Sequence, residues 1–223
     1  MKIKETKIIV IGNQKGGCGK TTLSVHLACG LIKKNPKSKI LVINADLQKS
    51  VNMWADNKER FNFDIISGLG DMTSLIEENL NKYNYIIVDC PPATDQSEDS
   101  LVTFNSLLLA DLLLIPVLCS SLDIWATGNF ELTVQDALEI NKNLKVRVLL
   151  NKFKPLLKRT KRSVELINET IPYSIMETKI GDRGAFIDSA DFGTTVFELG
   201  DRKAIDEVNN LTNEVLTILE SNN

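Results

Sequence analysis

A glycine-rich segment near the start of the chain carries residues that suit phosphate chemistry. Residues 12–22 read GNQKGGCGKTT and lead into a helical pattern. Glycines let backbone N–H groups turn towards an anion, and the first turn of a helix adds partial positive charge. We predict that Lys20 pairs with the β- and γ-phosphates of a nucleotide and that the Thr21 hydroxyl ligates Mg²⁺. A glycine turn that only caps a helix is the alternative interpretation.

Two aspartates stand directly after apolar runs of the sequence. Asp46 follows the run at 40–43, and Asp89 follows the run at 85–88. The carboxyl ends of parallel strands face the ligand in open sheets, so we predict that Asp46 orients the attacking water. The alternative for Asp46 is an N-cap of a helix predicted nearby. A carboxylate at a buried strand end is costly without a cation, and we therefore predict that Asp89 holds Mg²⁺ through water.

Apolar, β-branched runs alternate with helical patterns along the chain. The predicted strands lie at 7–11, 40–43, 85–88, 112–116 and 146–150. The predicted helices lie at 21–34, 51–60, 74–81, 99–109, 126–140, 156–170 and 201–220. Strands that are apolar throughout and alternate with helices indicate an α/β fold, a single doubly wound, mostly parallel sheet with helices on both faces.

Length and composition limit the class of protein. The 223 residues, 43% of them hydrophobic, suffice for one core, so we expect a single domain over 1–223. The net charge is −3, so any binding to DNA or to anionic lipid must be local. The start of the chain lacks the apolar stretch of a signal peptide, and no run reaches the ~18 apolar residues of a membrane span. We therefore expect a cytoplasmic protein.

The cysteines and the single histidine favour packing over redox or metal chemistry. Cys18, Cys29, Cys90 and Cys119 are widely spaced without a C-x-x-C pair, which argues against disulfides and structural zinc. We expect Cys90 to be a small buried hydrophobic residue rather than a redox group. His26 has apolar neighbours on the first predicted helix and is expected to be packed rather than catalytic.

The glycine-rich segment departs from the common P-loop pattern G-x-x-x-x-G-K-[ST], because Gln14 occupies the place of its first glycine. Residues 15–22, KGGCGKTT, resemble instead the deviant Walker A motif KGGxGK[ST][ST] of the ParA/MinD class of ATPases. Residues 86–92, IIVDCPP, are similar to the Walker B strand and switch loop of that family. The segments 110–117 and 183–196 resemble the small ParA-type partition ATPases.

The second motif of the family, D-x-D-P-Q, is matched with two departures. Residues 44–48 read NADLQ, so Asn44 replaces the first aspartate and Leu47 replaces the proline. The resemblance implies that the second aspartate, Asp46, is the catalytic carboxylate, and activity is expected to survive the departures. The two departures are expected to affect the rate of ATP hydrolysis and its dependence on the metal.

The resemblance also implies roles for residues at the nucleotide site. Lys15 is the signature lysine that reaches across a dimer interface to the phosphates of the partner subunit, and it acts in catalysis with Lys20 and Asp46. Asn151, after the fifth predicted strand, contacts adenine in this interpretation, and a plain turn residue is the alternative. ATP and Mg²⁺ are the expected cofactors, and hydrolysis is expected to be slow. The residues expected to bind ATP through the loop are Lys15, Gly16, Gly17, Cys18, Gly19, Lys20, Thr21 and Thr22.

Three functions within this class differ in features that the sequence can test. An iron–sulfur electron donor needs two cysteines that share a cluster across a dimer, and Cys90 lies too close to the Walker B motif for that. A MinD-like positioning ATPase should end in a basic amphipathic helix that attracts lipid, whereas the helix predicted at 201–220 is acidic. A partitioning ATPase for a plasmid, a chromosome or another cargo therefore fits best, with the MinD-like class as the alternative and no membrane partner expected.

A basic stretch suggests how such an ATPase would bind the nucleoid. Residues 152–162 contain six cations and no acid, and we predict that they bind DNA without sequence preference in the ATP-bound homodimer. A solvated basic surface is the alternative. Specific recognition would belong to a separate centromere-binding adaptor, ParB-like or ParG-like. The predicted DNA-binding residues are Lys152, Lys154, Lys158, Arg159, Lys161 and Arg162, with Arg183 as the next candidate.

Overall fold

A computed structural model describes residues 6–46, 54, 61–68, 70–92, 98–155 and 158–221, and the account that follows concerns these residues. They form a seven-stranded sheet in the order β3-β2-β4-β1-β5-β6-β7, with every neighbouring pair parallel. The strands are β1 Lys7–Ile11, β2 Ile40–Asn44, β3 Asp64–Ser67, β4 Tyr85–Asp89, β5 Leu112–Leu118, β6 Lys145–Phe153 and β7 Ile175–Gly181. The helices are α1 Lys20–Lys34, α2 Met72–Asn79, α3 Glu98–Leu109, α4 Ser121–Ile140, α5 Lys158–Thr170, α6 Gly184–Asp191, α7 Val196–Leu199 and α8 Arg202–Glu220.

The sheet separates two apolar layers, because successive side chains of a strand point to opposite faces. In β1, Ile8 and Val10 belong to one buried cluster, whereas Ile9 and Ile11 belong to the other. The first cluster includes residues of α2, α3, α4 and α5, and the second includes residues of α1 and α8. Helices therefore cover both faces, and the prediction of a doubly wound sheet is confirmed.

The five predicted strands are present, and two strands were missed. The missed strands, β3 and β7, form the two edges of the sheet. Their sequences, DIIS and IMETKIG, mix polar with apolar residues, because an edge strand is only partly covered. Helix α4 begins five residues earlier than the predicted 126, where the Ser120 hydroxyl accepts a hydrogen bond from Asp123 N. Of the helix predicted at 51–60, only Trp54 is among the described residues, and it is helical.

The edge strand β7 is covered by carboxylates of the last helix. Glu207 accepts a hydrogen bond from Gly181 N, and Glu214 accepts from the backbone N–H groups of Glu177 and Thr178. The two glutamates are two turns apart on α8, so they face the same strand. The apolar side of α8, which includes Val215, is buried in the core. Within the described residues, no helix has the length and the apolar character to cross a membrane.

Candidate nucleotide site

The loop between β1 and α1, residues 12–19, is called the phosphate loop below. It follows the central strand, at the carboxyl edge where open α/β sheets bind ligands. Gly17 and Gly19 have φ angles of 74° and 96°, a left-handed conformation that favours glycine. Gly19 is the N-cap of α1, so the first N–H groups of that helix point into the loop. The loop therefore has the backbone geometry of an anion site.

Two buried side chains, those of Asn13 and Cys18, support the phosphate loop through hydrogen bonds. Asn13 donates to the carbonyl of Pro116 at 2.8 Å and to the Thr127 hydroxyl at 3.0 Å, and its own Oδ1 accepts from Lys15 N at 3.1 Å. The Cys18 thiol lies 3.2 Å from Lys15 O and is 1% exposed. Burial raises the pKa of that thiol, which fits a packed cysteine rather than a reactive one.

Lys20 is a buried cation at the start of α1. Its side chain crosses the loop, and Nζ donates to Lys15 O at 3.1 Å. The residue is 5% exposed. A buried ammonium favours an anionic ligand, because few water molecules remain to solvate it. The predicted pairing of Lys20 with nucleotide phosphates is compatible with this position.

Thr21 and Asp89 lie together, as predicted for a metal site. The Thr21 hydroxyl donates to Asp89 Oδ2 at 2.7 Å. Burial raises the pKa of the Asp89 carboxyl to about 7, against the opposite effects of the Thr21 hydrogen bond and the Lys20 charge. Asp89 Oδ1 is buried without a hydrogen-bond partner among the described residues. A hydrated divalent cation would supply the positive charge and the donors that this carboxylate lacks, so the two residues fit Mg²⁺.

Asp46 lies at the mouth of the same pocket. Its backbone N–H donates to Asn44 Oδ1 at 3.1 Å, so the asparagine that departs from the family motif shapes this turn. The carboxylate lies close enough to Asp89 to raise the pKa of that residue. Leu47 and Gln48, the rest of the second motif, lie outside the described residues.

Lys15 lies on the outer side of the phosphate loop. Its Nζ is 3.3 Å from Asp123 Oδ1, and its side chain is 43% exposed. Asp123 is in the first turn of α4, where the Ser120 hydroxyl also contacts its carboxylate. The ammonium of Lys15 is thus held by an acid of α4 in this structure, outside the residues that line the pocket.

The pocket continues beyond the phosphate loop into a part that sequence reasoning missed. The whole pocket has a volume of about 490 Å³. Its far side is apolar and comes from the end of β7 and from α6. The segment 183–196 was noted above for its family resemblance, but the sequence did not indicate that it lines the pocket, because the strand before it was missed. The apolar lining consists of Ile180, Phe186, Ile187 and Ala190, with Trp54.

His26 is a buried residue that contacts both the start of α1 and the apolar part of the pocket. Nδ1 lies 2.7 Å from Thr22 O, and Nε2 lies 3.2 Å from Val196 N. Since a carbonyl can only accept, Nδ1 carries the proton and Nε2 accepts from Val196. The ring meets Phe186 edge to face at 5.3 Å. Burial lowers the pKa of the imidazole to about 4, so His26 is a neutral packed residue, as predicted.

The end of β6 approaches the phosphate loop from the side. Asn151 is 5% exposed, and its Nδ2 donates to Cys18 O at 2.7 Å. The next residue, Lys152, donates from Nζ to Gly17 O at 3.3 Å. Both residues line the pocket. The contact of Asn151 with adenine stays a prediction, and its amide in this structure holds the loop.

The predicted basic surface is brought together only in part. Lys154 forms an ion pair with Asp182 at 2.6 Å, and Arg183 forms one with Glu207 at 2.6 Å. The side chains of Lys158 and Arg159 lie outside the described residues, although helix α5 begins at 158. Exposed cations of this stretch in α5 are Lys161 and Arg162.

Comparison with known proteins gives the family. A family model described as an AAA domain matches residues 6–79. Maintenance of carboxysome distribution protein A of Halothiobacillus neapolitanus is 30% identical over 215 residues, which cover 93% of this chain and 95% of that protein. The chain belongs to the ParA/MinD class of P-loop ATPases. The family resemblance carried by residues 15–22 is thus confirmed.

Other members of the ParA/MinD class show the same relationship. The chromosome partitioning protein ParA of Myxococcus xanthus is 28% identical in an alignment that covers 51% of this chain and 52% of that protein. The septum site-determining protein MinD of Pyrococcus horikoshii, complexed with Mg-ADP, matches with a TM-score of 0.70 at 16% identity and covers 94% of this chain and 96% of that chain. That structure holds Mg-ADP, a ligand of the same chemical class as the expected ATP and Mg²⁺.

Proposed function

We propose that this ATPase partitions a cargo over nucleoid DNA: it dimerises on ATP, binds DNA without sequence preference, and hydrolyses ATP slowly with an adaptor protein. The observation that carries this proposal is the contrast between the two lysines of the phosphate loop: Lys20 is buried, whereas the side chain of Lys15 is 43% exposed and pairs with Asp123. We propose that Lys15 exchanges this ion pair for the phosphates of a second subunit. We also propose that residues 1–223 act as one domain, which the single sheet supports.

The residues around the phosphate loop divide the chemistry among them. Lys20 and the N–H groups of the loop bind the β- and γ-phosphates, with Gly16, Gly17, Cys18, Gly19, Thr21 and Thr22 as the other loop contacts. Thr21 holds Mg²⁺ directly and Asp89 holds it through water. When bound, Mg²⁺ neutralises charge that develops on the phosphate oxygens. Asp46 orients the water that attacks the γ-phosphate, a task that needs a carboxylate at the open side of the pocket.

Turnover tests the role of Asp46. Asp46→Ala should leave ATP bound but abolish Mg²⁺-dependent hydrolysis, because the carboxylate positions water rather than phosphate. ATP affinity and phosphate release are to be measured on the same preparation. Full turnover by this variant would remove Asp46 from the mechanism.

Dimerisation tests the role of Lys15. ATP rather than ADP should drive it, because the γ-phosphate is the group that Lys15 of one subunit grasps in the other. The Lys15→Ala protein should stay monomeric by light scattering in ATP, whereas Lys34→Ala, at the far end of α1, should dimerise normally. A fully dimeric Lys15→Ala protein contradicts the proposal.

DNA binding is proposed to involve the helix α5. Positive side chains in its first turn oppose the helix dipole by roughly 0.3–1 kcal/mol each, which favours an anionic partner. The relevant residues are Lys158, Arg159, Lys161 and Arg162. Two of the originally predicted cations, Lys154 and Arg183, are paired with acids, so their contribution should be smaller. Dimerisation doubles the contacts and thereby lets ATP control the binding.

The salt dependence of DNA binding is the experiment that tests this surface. Affinity should fall with a log–log slope of about −0.9 per phosphate contacted. Lys161→Glu/Arg162→Glu should weaken binding and flatten the slope, whereas the charge-matched control Lys34→Glu/Lys37→Glu, at the opposite edge of the sheet, should change neither. Unchanged affinity and slope in the α5 variant would remove α5 from the DNA surface.

The choice between partner classes can be tested directly. We propose a nucleoid-associated, cytoplasmic ATPase with a ParB-like or ParG-like adaptor, and the cargo is a plasmid, a chromosome or another body, since one relative is named for carboxysome distribution. Co-sedimentation with anionic liposomes should be absent with and without ATP. Nucleotide-dependent binding to the liposomes would favour the MinD-like membrane function instead.

A further inference from the structure

Two consecutive residues at the end of β6 hold two consecutive carbonyls of the phosphate loop. Asn151 Nδ2 donates to Cys18 O at 2.7 Å, and Lys152 Nζ donates to Gly17 O at 3.3 Å. We call this pair the loop clamp. The partners lie 133 and 135 residues apart in the chain, so the contact joins the loop after β1 to the end of β6.

The orientation of the Asn151 amide is fixed by its partners. Cys18 O can only accept, so the nitrogen faces it, and Asn151 Oδ1 accepts from Lys152 N at 2.9 Å. The loop is built around this amide, because a Cβ on Gly19 would lie 2.3 Å from Asn151 Nδ2. Asn151 therefore has one arrangement in this site, and it fixes the path of the loop.

Lys152 has an unusual backbone conformation. Its φ of 49° lies in the left-handed region, which a residue with a side chain seldom adopts and which costs free energy. In this conformation the side chain reaches the phosphate loop, where its ammonium donates to Gly17 O, and the exposed residue is among those that line the pocket. The strained backbone thus places a second positive charge on the phosphate loop.

We propose that the loop clamp sets the affinity for the phosphate chain of the nucleotide without reading the base. Asn151 is a positioning residue that shapes the loop, and Lys152 adds a charge that attracts the phosphates. Lys152 consequently belongs to the nucleotide site and makes no contribution to the DNA surface. This inference rests on the nucleotide site proposed above.

Titration calorimetry with ATP, GTP and inorganic tripolyphosphate tests the charge. Lys152→Met should weaken the binding of all three by about tenfold, because one cation is lost near a polyanion. Lys152→Arg should restore most of the affinity, and Lys142→Met, which changes an exposed lysine in the turn before β6, should leave it unchanged. Unaltered binding by Lys152→Met, or a loss confined to ATP, would overturn the assignment of Lys152.

The variant Asn151→Leu tests the positioning residue, because it removes the donor to Cys18 O at similar side-chain volume and adds no charge near the phosphates. Affinity for ATP, GTP and tripolyphosphate should fall by the same factor, about tenfold, with the preference between ATP and GTP unchanged. If the variant instead binds tripolyphosphate normally and loses the preference for ATP, Asn151 reads the base and the clamp is wrong. Should this variant fail to fold by circular dichroism, the Lys152 variants still decide the proposal.

The Lys20→Ala variant distinguishes an error in the loop clamp from an error in the nucleotide site. If Lys20→Ala keeps full affinity for tripolyphosphate, the phosphate site itself is misassigned. If Lys20→Ala loses that affinity and the clamp variants keep it, only the clamp is wrong. DNA affinity at saturating ATP is a further measurement. Lys152→Met should bind DNA as the wild type does. A loss of DNA affinity in this variant would mean that Lys152 is part of the DNA-binding surface.

Discussion

The two parts of the pocket are built in different ways. The phosphate part is one contiguous segment whose backbone, with Lys20 and Thr21, presents donors and positive charge. The opposite part is an apolar wall, made by Ile180 and Phe186 among others, about 160 positions further along the chain. Under the proposed function, the first part recognises the charge that all nucleotides share, and the second is the surface on which a flat base packs. The predictions below test this division of the site.

The largest effect is expected in the phosphate part. Lys20→Ala should weaken ATP binding by roughly 100- to 1,000-fold, because a preorganised cation facing the phosphates is lost. Tripolyphosphate should be affected to the same extent. Fluorescence titration with a labelled nucleotide measures the change, and Lys34→Ala, at the exposed end of the same helix, is the control. Similar losses in both variants would mean that the effect is not local.

The next effect concerns His26, which joins the two parts. Its neutral native form has a pKa of about 4, whereas an unfolded histidine titrates near 6.5. The unfolded chain therefore binds more protons in this window, and the free energy of unfolding should fall by about 3 kcal/mol as the pH drops from 6.5 to 4. His26→Gln should lack this component in urea denaturation at pH 7, 5.5 and 4. An identical pH dependence in the variant would contradict the assignment.

A pair of glycine variants separates backbone conformation from contact within the phosphate part. Gly17→Ala and Gly19→Ala both force a side chain into a left-handed conformation, but only the methyl of Gly19→Ala collides with Asn151. Gly19→Ala should therefore weaken ATP binding by roughly 2 kcal/mol more than Gly17→Ala does. Equal losses would show that the contact with Asn151 has no influence on the site.

The smallest effect is expected in the apolar part. Phe186→Ala should weaken ATP binding by about tenfold through lost aromatic contact, and it should leave tripolyphosphate binding unchanged. Phe192→Ala is the matched control, since Phe192 is 66% exposed and follows the same helix. Calorimetry with the two ligands checks both variants. If Phe186→Ala also loses affinity for tripolyphosphate, the two parts of the pocket do not have separate roles.

The sequence predicted the phosphate part and not the apolar part, for a physical reason. A loop that binds phosphates needs glycines, Lys20 and Thr21 at fixed spacing, so its chemistry is visible in one short segment. The apolar wall needs only side chains of suitable size, and many sequences satisfy that. Its position depends on β7, an edge strand with no continuous apolar pattern. The clamp by Asn151 was likewise not predictable, because it depends on how β6 approaches the loop.

The basic stretch shows a related limit. Six cations within residues 152–162 predicted one surface, but the described side chains of this stretch do not lie on one surface. Lys152 turns back to the phosphate loop, and Lys154 pairs with Asp182, which lies far away in the sequence. The sequence shows where positive charges cluster, but it does not show which acidic residues of the folded protein pair with them.

The carboxylates of Glu207 and Glu214 have a consequence for how copies of this protein can meet. An incoming strand that extended the sheet at β7 would need the N–H groups of Glu177, Thr178 and Gly181, and these three donors are already taken. Sheet extension at this border would leave two carboxylates without their partners, an unfavourable exchange. The β7 side is therefore protected against edge-to-edge pairing between copies of this protein.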